Sequence, residues 1–244
     1  WAARIGRPLL DGDGMGRAFP EMQQQAMHVA GISASPAVLT DGRGNVIVIE
    51  AVDNLTAERL ARSSAATFGG TCAGALYTMT ARRAAESIIR GSVSTAVRIG
   101  AAMGSRRSGW PDALAEETAG RVLIEGRVVE VERRTGAGFT RGYATIDGAG
   151  RYAGRRLRLE LQNEVLVALE DGEVLATVPD IITVLAGTDG RPVGTERLHH
   201  GQRVGVVAIP GPDVWRTEAG LRVVGPRSFG YSVDYVRGAT DVAH

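Results

Sequence analysis

Apolar and polar positions change rhythm partway along the chain. As far as about Met103, helical and strand patterns mix. Pro8-Leu9-Leu10 is a short apolar run ending at Asp11-Gly12-Asp13-Gly14, the pattern of a buried strand that runs into a glycine-rich turn. From Pro20 to about Val29 the spacing predicts a helix, with Pro20 in the first turn and Glu21 near its positive end. Val46-Ile47-Val48-Ile49 predicts a strand after the turn Asp41-Gly42-Arg43-Gly44-Asn45. Thr56 to Ala66 reads as a helix with Leu55, Leu60 and Ala61 on one side, closed by Gly69-Gly70. Thr80 is placed to cap a helix running through Ile88-Ile89 to Gly91, and another helix is expected over Ser94 to Met103.

Gly104-Ser105-Arg106-Arg107-Ser108-Gly109-Trp110-Pro111 then reads as a linker. Beyond it, short β-branched runs recur: Val122-Leu123-Ile124, Val128-Val129-Glu130-Val131, Leu157 to Leu161, Val165 to Leu169, Ile181 to Leu185 and Val204 to Ile209. Asp147-Gly148, Asp171-Gly172 and Asp189-Gly190 punctuate them as turns. Arg155-Arg156-Leu157-Arg158-Leu159-Glu160-Leu161 alternates with period two, so one face is apolar and the other charged. The expected architecture is an α/β part over residues 1–108, followed by a β-rich, barrel- or sandwich-like domain over residues 109–244.

Composition narrows the chemistry. The 244 residues carry a net charge of +1, so no strong field gathers nucleic acid or an anionic membrane. No apolar run reaches the roughly 20 residues of a membrane span. All 28 basic residues are arginine. Without lysine, the chain supplies neither a Schiff-base amine nor a Walker A phosphate ligand. Cys72 stands alone, and the four histidines are His28, His199, His200 and His244, so cysteine-based zinc clusters are excluded. The chain starts at Trp1 and reads as the later part of a longer protein.

The densest cluster of reactive residue types is Asp11-Gly12-Asp13-Gly14-Met15-Gly16-Arg17-Ala18-Phe19-Pro20-Glu21. Asp11 and Asp13 are placed to share a divalent cation through hard oxygens, or to hold a general base near a water. Arg17 is placed to orient a substrate carboxylate with its planar fork. The competing reading is a turn whose aspartates cap backbone amides while Arg17 neutralises them. In the second half, Asn163, Glu164 and Asp180 fall at strand ends, where they become substrate-binding candidates if the β-rich domain faces the same cleft.

Pro8 to Glu21 resembles the signature segment of the S-methyl thiohydantoin desulfurase family, long carried as a domain of unknown function beside hydantoinase-type genes. Leu159-Glu160-Leu161-Gln162-Asn163-Glu164, Val178-Pro179-Asp180-Ile181-Ile182 and Val224-Gly225-Pro226-Arg227-Ser228-Phe229-Gly230-Tyr231 resemble three further family segments in the same order. The resemblance implies an α/β domain followed by a β-rich one, and hydrolysis at a hydantoin-like ring with release of methanethiol. By residue-to-residue match it makes Asp11, Asp13, Arg17 and Glu21 the catalytic candidates. Asp13 or Asp11 would be base or metal ligand, with a divalent metal ion as the cofactor candidate, and Arg17 would be the substrate clamp.

Other reactive residues carry simpler explanations. Gly69-Gly70-Thr71-Cys72 reads first as a helix end, with Cys72 a small buried thiol. Adjacent His199 and His200 would point to opposite faces of a strand. His28, seven positions after Glu21, would share a helical face with it. The expected protein is cytoplasmic, a homo-oligomer acting on a small molecule, without nucleic-acid or membrane partners. The rival expectation is a non-catalytic subunit or ligand-binding partner of a hydantoinase-type complex, recognisable by a broad exposed apolar surface.

Overall fold

The computed structural model describes residues 2–135 and 140–238, so Trp1 and His244 lie outside the described residues. The chain divides into two compact units, Trp1–Ser92 and Val93–His244. The division falls one helix before the 104–111 stretch.

In the first unit, helices alternate with short antiparallel strands. These are β1 (Gly12–Asp13), α1 (Ala26–Val29), β2 (Ala37–Thr40), β3 (Val46–Ile49), α2 (Asn54–Thr67), β4 (Ala73–Ala75), α3 (Ala81–Ser87) and β5 (Ile89–Arg90). The α/β expectation therefore holds only loosely. One three-stranded sheet runs β3-β2-β4, and a two-stranded ladder joins β1 to β5. Ala37, Leu39 and Ile49 are buried with Ala61 of α2. Val38 pairs across the sheet with Val48 and with Ala75, and Val38, Val46 and Val48 are exposed. Helix α2 starts where Asp53 accepts from the Thr56 amide at 2.7 Å, and α3 starts where the Thr80 hydroxyl accepts from Arg83 N.

Three expectations in this unit are corrected. Pro8-Leu9-Leu10 is no buried strand: Leu9 is 68% and Leu10 44% exposed, and residues 7–10 carry no regular structure. The helix expected from Pro20 shrinks to the single turn α1. The Met22 carbonyl, which a continuing helix would pair with the Ala26 amide, accepts from the Tyr77 hydroxyl at 3.2 Å. The Ala26 amide is meanwhile spent on the Gly14 carbonyl at 2.7 Å. Lastly, α3 stops at Ser87 because Ile89–Arg90 leave the helical path to pair with Gly12–Asp13.

The second unit opens with α4 (Ser92–Gly104) and α5 (Trp110–Thr118), the latter beginning inside the expected linker with Pro111 in its first turn. Seven strands follow: β6 (Arg121–Thr135), β7 (Thr140–Gly148), β8 (Arg156–Gln162), β9 (Glu164–Glu170), β10 (Glu173–Thr177), β11 (Ile181–Ala186) and β12 (Arg203–Ile209). They form one antiparallel sheet in the order β10-β9-β8-β7-β6-β12-β11, curled into a half-barrel. Strand β6 carries an extra residue at two register shifts, Val129 against β7 and Leu123 against β12, and these sharpen the twist that lets the sheet curl. Helices α6 (Asp213–Arg216) and α7 (Glu218–Val224) come after the last strand.

The period-two reading of β8 is realised: Leu157, Leu159 and Leu161 are buried while Arg156 and Arg158 face outward. Ile124, Val128, Ala144, Ile146 and Val206 complete one face of the same core. Each fully buried aliphatic side chain contributes about 1.5–3 kcal/mol, so this inner face specifies the register. Gly142 has a steric reason in the ladder. A Cβ there would lie 2.0 Å from the Glu132 carbonyl oxygen, so only glycine lets β6 and β7 approach.

Candidate functional site

The acidic bend forms where β1 leaves its ladder with β5. One Asp13 carboxylate oxygen, Oδ1, accepts from Met15 N at 2.6 Å and from Gly16 N at 2.5 Å. Burial disfavours the charged carboxylate, but the Ser92 hydroxyl and the Gly16 and Met15 amides outweigh it and hold its pKa below the ordinary aspartate value. Arg17 lies over the Phe19 ring at 5.0 Å and donates through Nε to the Ala18 carbonyl at 3.3 Å. Asp13, Gly14, Met15, Gly16, Arg17 and Gln25 line an open depression of about 500 Å³. Gly14 is pressed under Gln25, whose Oε1 would lie 2.3 Å from an added Cβ.

The bend thus brings together Asp13 and Arg17 of the four catalytic candidates. Asp11 is exposed, and its carbonyl receives the Gly91 amide at 2.9 Å. Glu21 is half-buried and accepts from Gln23 Nε2 at 2.7 Å. Neither is among the lining residues. Helix α2 steadies the segment that follows, since Arg62 donates to the Pro20 carbonyl at 3.0 Å and Glu58 holds Met22. Among the described residues, no three His, Cys, Asp or Glu side chains gather into a group that would hold a metal ion. The donor set at the bend does not fit a resident metal.

His28 does not share a helical face with Glu21, because α1 begins only at Ala26. Instead it meets the Asn54 amide at 2.9 Å through Nδ1, and burial lowers its pKa. His199 and His200 are exposed and lie outside any strand. Gly69 and Gly70 both take positive φ at the end of α2, as a helix terminus requires.

The second unit holds a separate cleft of about 300 Å³. Arg133, Arg141, Gly142, Leu161, Asn163, Glu164, Thr195 and Glu196 line it. Asn163 makes the turn from β8 to β9 in the left-handed region, φ 57°, and the Thr195 hydroxyl donates to its carbonyl. Arg133 donates through Nη2 to the carbonyls of Thr195 (2.7 Å) and Leu198 (2.6 Å). With its amide oxygen turned toward Arg141, Gln162 accepts from Nε and Nη2 of that guanidinium at 3.1 Å each. Arg141 also borders a neighbouring hollow with Phe229, Gly230 and Tyr231. Two of the motif segments seen in the sequence therefore meet at one arginine. Burial, then the nearby Glu160 charge, pushes the Tyr231 phenol up to about 12.

Asp180, the third substrate-binding candidate, lines neither cleft. It is fully buried and accepts from Gly211 N (2.8 Å), the Tyr235 hydroxyl (2.9 Å) and Gly238 N (2.8 Å). That arrangement positions chain segments rather than presenting a group to a ligand. Sequence reasoning missed Arg133 and Arg141. They sit among many arginines, and only the pairing of β7 with β6 and β8 singles them out.

Comparison with known families bears on the same segments. The S-Me-THD-like N-terminal domain matches residues 1–51, and the S-Me-THD-like C-terminal domain matches residues 52–237. The chain belongs to the S-methyl thiohydantoin desulfurase family. The two family domains meet between β3 and α2, within the first compact unit. No curated protein matches the chain. A protein from Chromobacterium violaceum, known from a crystal structure, is similar in fold at 22% identity and a TM-score of 0.76. The match covers 96% of this chain and 68% of that one.

Proposed function

We propose that this member of the S-methyl thiohydantoin desulfurase family is a hydrolase acting on a hydantoin-like ring. Water attacks the ring carbon that bears sulfur and the carbon–sulfur bond breaks. Methanethiol leaves with one of the water's protons, the ring nitrogen takes the other as its double bond to that carbon is lost, and a ring carbonyl remains. The observation that carries the reading is the placement of Asp13 and Arg17 on one depression, in a chain whose family domains span residues 1–237. The depressed pKa keeps Asp13 ionised at neutral pH and makes it a weak proton acceptor. It therefore suits holding and orienting the attacking water more than storing its proton. Arg17 presents a planar donor fork to a ring oxygen or a carboxylate. Asp11 and Glu21 are the remaining carboxylate candidates for the base. Asn163 and Glu164 are retained as binding candidates, and Asp180 as a positioning residue for the same unit.

The test is methanethiol release from an S-methyl thiohydantoin by the full chain. The wild type is expected to release it, and Asp13→Asn to lose about 10²–10⁴ in rate at unchanged melting temperature. Full activity in that variant removes Asp13 from the mechanism, and no release by the wild type removes the reaction.

One observation favours a second reading, a non-catalytic partner in a hydantoinase-type complex. Val38, Val46 and Val48 leave an apolar sheet face exposed. Co-elution with a hydantoinase-type subunit, abolished by Val48→Glu, would support it over catalysis by this chain alone.

A further inference from the structure

We propose that the cleft lined by Arg133, Arg141, Asn163, Glu164, Thr195 and Glu196 binds a small zwitterion, with its carboxylate on the two arginines and its ammonium on the glutamates. The cleft shares Asn163 and Glu164 with the candidates for the proposed reaction, but it contains neither Asp13 nor Arg17 and is read by binding rather than by methanethiol release.

Four observations carry it. First, the walls are fixed. Arg133 Nη2 is pinned by the Thr195 and Leu198 carbonyls, and Thr195 in turn holds the Asn163 carbonyl. The end of β6, the β8–β9 turn and the 195–198 segment are thereby tied together around the space. A guanidinium has five N–H donors. Arg133 spends only Nη2 on protein acceptors among the described residues, leaving Nε and Nη1 for a ligand.

Second, the two arginines lack carboxylate partners among the described residues, whereas those nearby are satisfied. Arg134 pairs with Glu132, Arg155 with Glu170, Arg156 with Asp147 and Arg158 with Glu160. Arg141 meets the neutral amide of Gln162 instead.

Third, two arginines and two glutamates line the cleft, so its formal charges cancel. A plain anion would meet two carboxylates and a plain cation two guanidiniums. A ligand carrying both charges meets each set with its opposite, and Glu196, whose 3.7 Å pairing with Arg197 is solvent-exposed and weak, stays open to it. Fourth, the space suits an amino-acid-sized molecule: about 300 Å³, with buried Leu161 and the side-chain-free Gly142 contributing apolar and backbone wall.

Isothermal titration of the full chain with L-alanine, γ-aminobutyrate and acetate tests the idea at constant ionic strength. One of the two zwitterions is expected to bind saturably at one site and more tightly than acetate. Arg141→Met and Glu196→Gln are each expected to weaken it about tenfold, the loss of one charge-assisted hydrogen bond. Arg134→Met, which removes an arginine already paired to Glu132, is expected to leave it unchanged. Arg133→Met also loosens the 195–198 segment, so the exposed Arg141 and Glu196 decide the outcome. Failure of both zwitterions to saturate the wild type overturns the proposal. So does binding that is indifferent to Arg141→Met and Glu196→Gln, or acetate binding as tightly as either zwitterion. Loss of methanethiol release in Asp13→Asn bears on the other site alone.

Discussion

The Tyr235 hydroxyl donates a 2.9 Å hydrogen bond to the fully buried carboxyl of Asp180, joining residues 55 positions apart. Gly211 N and Gly238 N donate to the same carboxyl. Asp180→Asn replaces one acceptor oxygen with an NH₂ group, which then faces one of these donors. The variant is expected to lose about 1–3 kcal/mol of stability, read as a lower urea midpoint. Tyr235→Phe should lose less, because it removes one donor and leaves the carboxyl the Gly211 and Gly238 amides.

Asp13 ties a pH dependence to the bend. Its folded pKa lies below the ordinary value, with burial opposed and outweighed by Ser92, Gly16 and Met15. The stabilisation is therefore fully present above the unfolded pKa and is lost as pH falls through the folded one. The amide resonances of Met15 and Gly16 should titrate together in acid, with a midpoint below that of an unstructured aspartate. Asp13→Asn should abolish that titration.

Asn54 holds the first unit together at one point. Its Oδ1 accepts from Ala34 N at 2.7 Å, while Nδ2 donates to the Ile32 carbonyl and meets His28 Nδ1, both at 2.9 Å. Asn54→Ala leaves a buried amide without its acceptor and should cost about 1–3 kcal/mol. Hydrogen exchange at Ala34 should quicken more than exchange in β8.

Gly142→Ala should destabilise the β-rich unit by about 1–3 kcal/mol, as overpacking does. The new Cβ would sit 2.0 Å from the Glu132 carbonyl oxygen, so β6 and β7 must part. A melting curve checks the loss. The neighbouring Arg141→Met adds no such clash, and its cost should be limited to the hydrogen bonds that Gln162 loses.

Most of the half-barrel is legible in the sequence because its signals are local. Leu157, Leu159 and Leu161 alternate with charged residues, and Asp-Gly pairs mark the turns. The first unit is harder to read because distant side chains decide its local structure. Nothing near Pro20 announces that the Gly14 carbonyl will take the Ala26 amide, or the Tyr77 hydroxyl the Met22 carbonyl, where the spacing predicts a helix. Leu9 and Leu10 have the composition of a strand but no partner strand. At the acidic bend, residue types pointed to Asp13 and Arg17, while the separation of Glu21 from the depression followed from the Gln23 and Gln24 contacts. Arg133 and Arg141 converge through strand pairing and a turn more than 50 positions downstream of them, which no local pattern encodes.

The order of strands in the half-barrel also governs how the chain emerges during synthesis. Strand β6 pairs on one side with β7, which follows it directly, and on the other with β12, the last strand made. The hairpins from β6 to β10 can close as they leave the ribosome. Until residues 203–209 arrive, the opposite margin of β6 stays open as a template for stray strands. Slow translation ahead of β12 would prolong that exposure, so yield of native protein should depend on the speed at which this late stretch is delivered.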